Sequence, residues 1–217
     1  MKGLILKDTL YIVKQKKLLA MYALCAVMLS FAMDSTFIVS YFSMIGAILV
    51  INTITYDSFE NGFAFLMCLP TSPKKYTQAK YLFSLLGISA VWIISVILQF
   101  VSLTIRKAPI NTFELLSSDL ICFAVFMVIC GIMIPISLKY GSEKGRIVLI
   151  IVAGICCVVV VAVTKFLTPA FSDDIEAFVT KMSLSQIMIS LICLFAGLTI
   201  FFLSLPFSIS IMKKKEF

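Results

Sequence analysis

Residues 56–75 read YDSFENGFAFLMCLPTSPKK, and this stretch interrupts a chain that is otherwise a succession of long apolar runs. Its central FAFLMCL segment is as hydrophobic as its neighbours but only about seven residues long, whereas a membrane-spanning helix needs roughly 20. Charged residues, an Asn-Gly pair and two prolines enclose the segment. It is therefore expected to lie across one end of a helical bundle instead of passing through it.

The composition of the chain requires lipid around it. Of the 217 residues, 61% are hydrophobic and 13% are charged, and the mean hydropathy is +1.11. Soluble domains carry about 25% charged and 45–50% apolar residues, so a soluble fold of this length cannot bury so much apolar surface. Because irregular or open-edged backbone cannot face lipid, the apolar runs are predicted to be helices. The expected fold class is an all-α integral membrane protein.

Six apolar runs are predicted to be transmembrane helices of one membrane domain that covers residues 1–217. They are Leu18–Met33, Ser35–Thr55, Ala79–Thr104, Leu120–Leu138, Ile147–Thr164 and Leu184–Met212. The lysine-rich residues 1–17 precede the first run without a small-residue cleavage site. The first run is therefore expected to remain in the mature protein.

The distribution of charge predicts the orientation of these spans. Once six spans are drawn, most of the 18 Lys and Arg residues fall on the side of the N-terminus. The positive-inside rule then places both termini in the cytoplasm. The net charge of +7 is explained by topology and by contacts with lipid headgroups, so nucleic acid is not expected as a partner.

Residues 165–183 lie outside the cell in this topology. Ile175, Phe178 and Met182 recur there at helical spacing, after the polar Ser172. This pattern predicts an N-capped amphipathic helix. A simple interfacial helix is preferred over a gate for the substrate.

Residues 56–75 are predicted to hold a second amphipathic helix, on the cytoplasmic side. Asp57 and Glu60 have the spacing of a helix-starting pair, Phe63 and Leu66 follow at helical spacing, and Pro70 ends the element. Its polar face is acidic and is repelled by an anionic inner leaflet. Docking into a groove of a soluble protein is therefore favoured over anchoring in the membrane, with the apolar face towards that groove or towards the underside of the bundle.

The order of these elements resembles the permease subunit of type-2 ABC exporters, particularly the short six-span Gram-positive kind. The matching stretches are MKGLILKDTLYIVKQKK, YDSFENGFAFLMCLPTSPKKYTQAKYL and KYGSEKGRI. The resemblance implies that residues 57–73 hold a coupling helix, which sits in a cleft of a separate ATPase, and that residues 1–17 form an interfacial elbow helix. The coupling residues that it implies are Asp57, Glu60, Asn61, Gly62, Phe63, Leu66, Leu69 and Pro70.

The resemblance also indicates a cargo and an assembly. The chain is similar to exporters of amphipathic peptides such as phenol-soluble modulins, and lantibiotic self-protection permeases and drug exporters share the same layout. The implied partners are an ABC ATPase, which binds ATP and Mg²⁺, and a second copy of the chain or a paralogous permease. Two bundles of this size can enclose a pathway that one bundle cannot, and symmetric pairing is the commonest oligomeric solution.

No catalytic, cofactor or metal site is expected in this chain. It has no histidine and no CxxC pair among its seven cysteines, and it lacks the GxxxxGK[ST] phosphate loop. Asn52, Thr53 and Gln99 are the notable polar groups of the spans and are interpreted as interhelical hydrogen-bonding groups near the span ends. Since ion-coupled transporters keep an ionisable group at mid-membrane, the sequence argues against ion coupling.

Two other classes stay open at this point. The first is the substrate-binding membrane subunit of a vitamin or micronutrient importer, which binds its ligand tightly by itself and lacks the long helical cytoplasmic loop. The second is a structural or regulatory membrane protein without transport activity.

Overall fold

The computed structural model describes residues 2–32, 35–58, 62–68, 72–107, 112–162 and 186–214. Within these ranges the chain forms seven helices, numbered here in chain order: α1 (Lys2–Lys14), α2 (Lys16–Ala32), α3 (Ser35–Asp57), α4 (Gly62–Cys68), α5 (Pro73–Arg106), α6 (Thr112–Ala162) and α7 (Gln186–Lys214). No strand occurs in the described ranges, which supports the all-α prediction. The amphipathic helix predicted for residues 165–183 lies outside them.

Four helical segments are long and apolar enough to cross a membrane. They are Phe37–Asp57, Pro73–Arg106, Thr112–Gly141 and Gln186–Lys214, which correspond to the second, third, fourth and sixth predicted runs. The first predicted run forms helix α2, which has only 17 residues. The fifth run begins within the second part of α6. The described residues thus support a multi-pass membrane protein with four candidate spans, and the count of six stays a prediction.

Helix α5 begins well before the apolar run that predicted it. Ser72 is the N-cap, and its side chain accepts a hydrogen bond from the backbone N–H of Lys75 at 3.3 Å. Pro73 follows at the first helical position, where its missing N–H costs nothing. The helix ends at Lys107, which adopts the left-handed conformation (φ 52°) and returns its N–H to the carbonyls of Leu103 and Thr104. Capping residues, and not hydrophobicity, therefore set the ends of this helix.

Helix α6 changes direction at Gly141. This residue has φ 72° and ψ −163°, a conformation that only glycine adopts readily. A glycine therefore provides the break in the helix between the fourth and fifth predicted runs. Two prolines, Pro135 in α6 and Pro206 in α7, lie within helices that continue past them.

Helix α3 lies at the centre of the described bundle. It packs against both α5 and α6, and α6 in turn packs along α7. More than half of the apolar span of α3 (56%) is buried within the molecule, against 17% for that of α7. Large side chains on α7, such as Phe195, Leu203 and Phe207, are exposed instead. A helix in contact with lipid has such apolar side chains on its outer face, whereas a helix of a soluble protein has polar ones there.

Small residues allow α6 and α7 to approach each other closely. A Cβ atom at Gly197 would lie 2.8 Å from the carbonyl oxygen of Ala124, and one at Gly131 would lie 3.2 Å from the Cα of Phe201. Helix α7 is also held by hydrogen bonds to α5. The hydroxyl of Tyr81 lies 2.6 Å from that of Ser204 and 2.7 Å from that of Ser208.

Candidate functional site

The short helix α4 (Gly62–Cys68) lies between α3 and α5 in the chain and packs against the bundle. Helix α3 continues as far as Asp57, and α4 begins at Gly62. Asp57 therefore ends a membrane helix and does not start the loop helix as predicted. Gly62 fits tightly against this helix end, because a Cβ at Gly62 would lie 2.6 Å from the carbonyl oxygen of Asp57.

Helix α4 has one buried face and one exposed face. Phe63 is 5% exposed and Leu66 is 8% exposed, and both belong to the hydrophobic core. Phe65 is 72% exposed, and Cys68 is also exposed. Of the two surroundings that the sequence allowed for Phe63 and Leu66, the structure places them against the underside of the bundle. The outward face of α4 is formed by residues that the periodicity did not single out.

The remaining predicted coupling residues flank α4. Glu60, Asn61, Leu69 and Pro70 lie outside the described residues. Their part in a coupling surface stays a prediction.

A buried charged cluster lies where α1, α3 and α5 meet. The ammonium of Lys80 is 2.7 Å from Asp8 Oδ2 and 2.8 Å from Asp57 Oδ2. Lys7 forms ion pairs with Asp57 and, at 3.5 Å, with Asp8. The side chains of Lys80, Asp8 and Asp57 are only 2–3% exposed. Two carboxylates and the Lys80 ammonium thus share one buried site, and Lys7, whose side chain is 36% exposed, pairs with them from its edge.

Hydrogen bonds connect this charged cluster with α4. Tyr76 is buried and donates its hydroxyl to Asp57 Oδ2 at 2.8 Å. The ring of Tyr76 packs edge-on against that of Phe63, with 5.7 Å between the centroids. Lys80 completes the arrangement by donating to the hydroxyl of Thr53 at 3.3 Å and by lying 5.6 Å from the centroid of the Tyr76 ring.

Each charge of the cluster is balanced by the others, so the loss of one side chain would leave a buried charge without a partner. Burial raises the pKa of Asp8 above its ordinary value, while the neighbouring ammonium groups of Lys80 and Lys7 act in the opposite direction. Buried charges contribute little net stability when paired, but an unpaired one is costly. The cluster therefore specifies how the three helices dock.

The geometry can transmit a displacement. A force on α4 acts on Phe63, then on Tyr76 and, through the carboxylate of Asp57, on the end of α3. Lys80 carries the same displacement to Asp8 on α1. Closely packed interiors transmit strain instead of absorbing it, so these helix ends are linked mechanically as well as electrostatically.

Sequence reasoning missed this charged cluster. In the sequence, Lys7 and Lys80 belong to the basic residues that fall on the side of the N-terminus, and no pattern singles out Asp8 or Tyr76. One signal was present: Lys80 immediately follows Ala79, the start of the third predicted run, and lies one helical turn after Tyr76. An ion at the edge of an apolar helix requires a partner, but the sequence does not say which carboxylate supplies it.

Metal and disulfide chemistry find no support in the part of the chain that the structure describes. No group of three or more His, Cys, Asp or Glu side chains there could hold a metal ion. Five cysteines with described side chains have free thiols: Cys25, Cys68, Cys122, Cys130 and Cys193.

One comparison with known proteins bears on this arrangement. The family model described as ABC-2 family transporter protein matches residues 3–213, which is almost the whole chain. No curated protein and no solved structure matches the chain significantly.

Proposed function

Because this chain belongs to the ABC-2 family of transporter proteins, we propose that it is the membrane-spanning subunit of an ATP-driven exporter in a bacterial cell membrane. ATP and Mg²⁺ bind to a separate ATPase subunit, and this chain is not itself an enzyme. The lack of a phosphate loop in the sequence supports this division of labour. In this proposal both termini and α4 face the cytoplasm, and the chain crosses the membrane six times.

The observation that carries the proposal is the two-sided helix α4. Its inner face, through Phe63, touches the tyrosine of the charged cluster, and its outer face presents Phe65, which is 72% exposed. An exposed aromatic side chain at the aqueous end of a bundle is suited to a pocket on a partner. We assign α4, with the flanking Glu60, Asn61, Leu69 and Pro70, to the ATPase contact.

Within this contact the residues of α4 and of the end of α3 have different roles, and two of them, Phe65 and Cys68, were not among the predicted coupling residues. Phe65 and Cys68 reach the ATPase directly. Gly62 allows α4 to approach the end of α3, and Phe63 and Leu66 pass its movement to the bundle. Asp57 receives that movement inside the charged cluster.

The proposed cargo is an amphipathic peptide or another hydrophobic or antimicrobial compound. Two copies of the chain, or one copy and a paralogue, rock between inward-facing and outward-facing packings, with the pathway between them. Apolar surfaces that run along α5 and α7, such as Ile93, Ile97 and Phe202, suit a greasy pathway or the lipid around it. A vitamin importer subunit is disfavoured because α4 is integrated into the bundle of this chain.

Co-purification with the candidate ATPase tests this proposal. Phe65→Asp places a charge on the outer face of α4, whereas Lys74→Gln changes the net charge equally at an exposed position just after the α4 loop. We expect the wild-type chain and Lys74→Gln to retain the ATPase and Phe65→Asp to lose it, together with cargo-stimulated ATP hydrolysis. An intact Phe65→Asp complex with normal transport would refute the assignment of α4. Tight retention of a vitamin by the isolated chain would favour the importer class.

A further inference from the structure

A second buried polar cluster lies at the end of the bundle opposite to α4. Gln99 on α5 follows Lys80 by 19 positions, or roughly 28 Å along a helix. Gln99 and Ser43 are completely buried, and Asp119 on α6 is 2% exposed. Asp119 directly precedes the fourth predicted run, Leu120–Leu138, but α6 begins seven residues earlier, at Thr112. The carboxyl group is therefore two turns inside a candidate membrane span.

Helical spacing on three helices brings polar side chains to this point. The Gln99 side chain lies beside the Asp119 carboxyl group, and the indole of Trp92 donates to the backbone carbonyl of Asp119 at 3.0 Å. One turn along α6, the Cys122 thiol lies 3.4 Å from the hydroxyl of Ser40. The pairs that share a helix face are Ser40 and Ser43 on α3, Ser95 and Gln99 on α5, and Asp119 and Cys122 on α6.

The side chains at the centre of this polar cluster carry buried polar atoms that are not hydrogen-bonded. Among the described residues, Ser43 Oγ, Asp119 Oδ2 and both polar atoms of the Gln99 amide make no hydrogen bond of ordinary length and geometry, although Gln99 lies close to the Asp119 carboxyl group. The charged cluster at the other end differs, because there each carboxylate meets an ammonium group. A buried polar group without a partner is costly, and a buried unpaired carboxylate is costlier still.

We propose that Asp119, Gln99 and Ser43 form a proton-binding site in which Asp119 is the acceptor and a buried water bridges the three side chains. The carboxylate takes a proton from a hydronium ion and leaves a water molecule; release reverses this step. A neutral carboxyl group can donate to the Gln99 carbonyl or to water, which removes the uncompensated charge. Buried waters in proteins typically satisfy two to four such groups.

The chemistry of the polar cluster favours a proton over a metal ion. Calcium and magnesium ions take about six or more oxygen ligands, whereas this site offers one carboxylate, one amide oxygen and one hydroxyl. The Gln99 amide also brings an N–H₂ donor, which a cation repels and a water or a carboxyl oxygen accepts.

None of the described groups that face Asp119 carries a positive charge. In the proposed site a proton therefore neutralises the carboxylate. From α3 come the hydroxyls of Ser40 and Ser43, and from α5 come the Gln99 amide and the Trp92 indole, all of them uncharged. On α6 the acidic neighbour that interacts with Asp119 is the Cys122 thiol, and Glu114 is exposed. In the described residues no Lys or Arg contributes to the electrostatic surroundings of the Asp119 carboxyl group.

Proton binding is linked to how α3, α5 and α6 pack. The packing described here buries Asp119 and therefore stabilises its protonated form. A movement that admits bulk water to this end of the bundle favours release of the proton. The proton thus biases the bundle towards the packing seen here, independently of whether an ATPase docks at α4.

Infrared spectroscopy of the full-length protein in lipid nanodiscs tests the proposal. At mildly acidic pH, where exposed carboxyl groups are largely ionised, we expect the carbonyl stretch of a protonated carboxyl group that exchanges slowly with deuterium. This band should be absent from Asp119→Asn and unchanged in Glu114→Gln, which alters an exposed acid on the same helix. The Asn side chain has nearly the shape of a protonated Asp, so this variant should fold.

The pH dependence of thermal unfolding gives a second readout. A group that is protonated in the folded state and ionised in the unfolded state stabilises the fold at lower pH, and its contribution is lost as the pH rises. The melting temperature should therefore fall as the pH rises through the mildly acidic range in the wild type and in Glu114→Gln, with a smaller decrease in Asp119→Asn.

Two results would overturn this assignment. One is a set of spectra at mildly acidic pH in which Asp119→Asn removes a carboxylate band and no carboxyl band, which would show Asp119 to be ionised there. The other is a sodium-dependent rise in melting temperature, at constant ionic strength, that Asp119→Asn abolishes. That outcome would make the site one for a metal cation.

Discussion

Lys80 Nζ lies 2.7 Å from Asp8 Oδ2 although 72 positions separate the two residues along the chain. Both side chains are 2% exposed. The ion pair attaches the N-terminal helix α1 to the beginning of α5, at the same place where Asp57 ends α3. Helix α1 is thus fixed to the bundle by charge. Its position is therefore tied to that of the helices above α4.

Replacement of Lys80 tests the charged cluster. Lys80→Met keeps the apolar stem but leaves two buried carboxylates with only Lys7, and we expect a loss of about 3–5 kcal/mol in the free energy of unfolding. Lys75→Met alters an exposed lysine on the same helix and should change it by less than about 0.5 kcal/mol. Chemical unfolding in mixed micelles measures both. Adding Asp8→Asn to Lys80→Met should recover part of the loss, and equal stability of the two lysine variants would contradict the role given to Lys80.

The two faces of α4 are separated by a pair of phenylalanine substitutions. Phe63→Ala removes a core side chain in contact with Tyr76 and should cost about 3–5 kcal/mol of stability. Phe65→Ala removes an exposed ring and should leave stability within about 0.5 kcal/mol. Thermal unfolding of the purified chain, without any ATPase, distinguishes them. A larger loss for Phe65→Ala would show that α4 packs with the opposite face inward.

The close contact of α6 and α7 predicts sensitivity at Gly197. The methyl group of Gly197→Ala would meet the backbone of Ala124 at 2.8 Å, so the helices must separate, and we expect a loss of about 1–3 kcal/mol. Gly3→Ala is the matched control, because a methyl group there meets no atom within 4 Å. It should be neutral or stabilising by up to about 1 kcal/mol through helix propensity. Unfolding midpoints of the two variants that shift equally would argue against this packing.

The hydroxyl of Tyr81 provides a prediction about the contact of α5 with α7. Tyr81→Phe removes the group that reaches both Ser204 and Ser208 and leaves these hydroxyls without it, at a cost of about 0.5–1.5 kcal/mol. Tyr56→Phe removes a hydroxyl from an exposed side chain and should cost nothing measurable. Ser208→Ala combined with Tyr81→Phe should cost less than the sum of the single changes, because both remove one interaction. Strict additivity would show that the pair does not interact.

The sequence predicted the class of fold because hydrophobicity alone decides it. A chain that is 61% hydrophobic must place its helices in lipid, and the four candidate spans follow the predicted runs closely. The sequence predicted the ends of these helices less accurately. Helix α5 begins at Pro73 and not at Ala79, because Ser72 and Pro73 cap a polar first turn that a hydrophobicity pattern does not include.

The sequence also determined where the candidate coupling element lies, since a greasy segment enclosed by Asn-Gly and two prolines is too short to span. Which of its faces points inward was left open, because Phe63, Phe65 and Leu66 are all apolar. Only the fold decided that Phe63 and Leu66 enter the core and that Phe65 remains exposed. Packing against Tyr76, a residue of another helix, makes that choice.

Partnership between distant charges is what the tertiary structure alone decided. In the sequence, Lys7 and Lys80 look like any lysines that mark the cytoplasmic side of a membrane, and Asp119 looks like the end of a loop. The fold brings Lys80 to Asp8 and Asp57, but it buries Asp119 beside Gln99, where no described lysine or arginine contributes. The physical reason is that hydrophobicity depends on each residue separately, whereas the cost of a buried charge depends on which groups from other helices surround it.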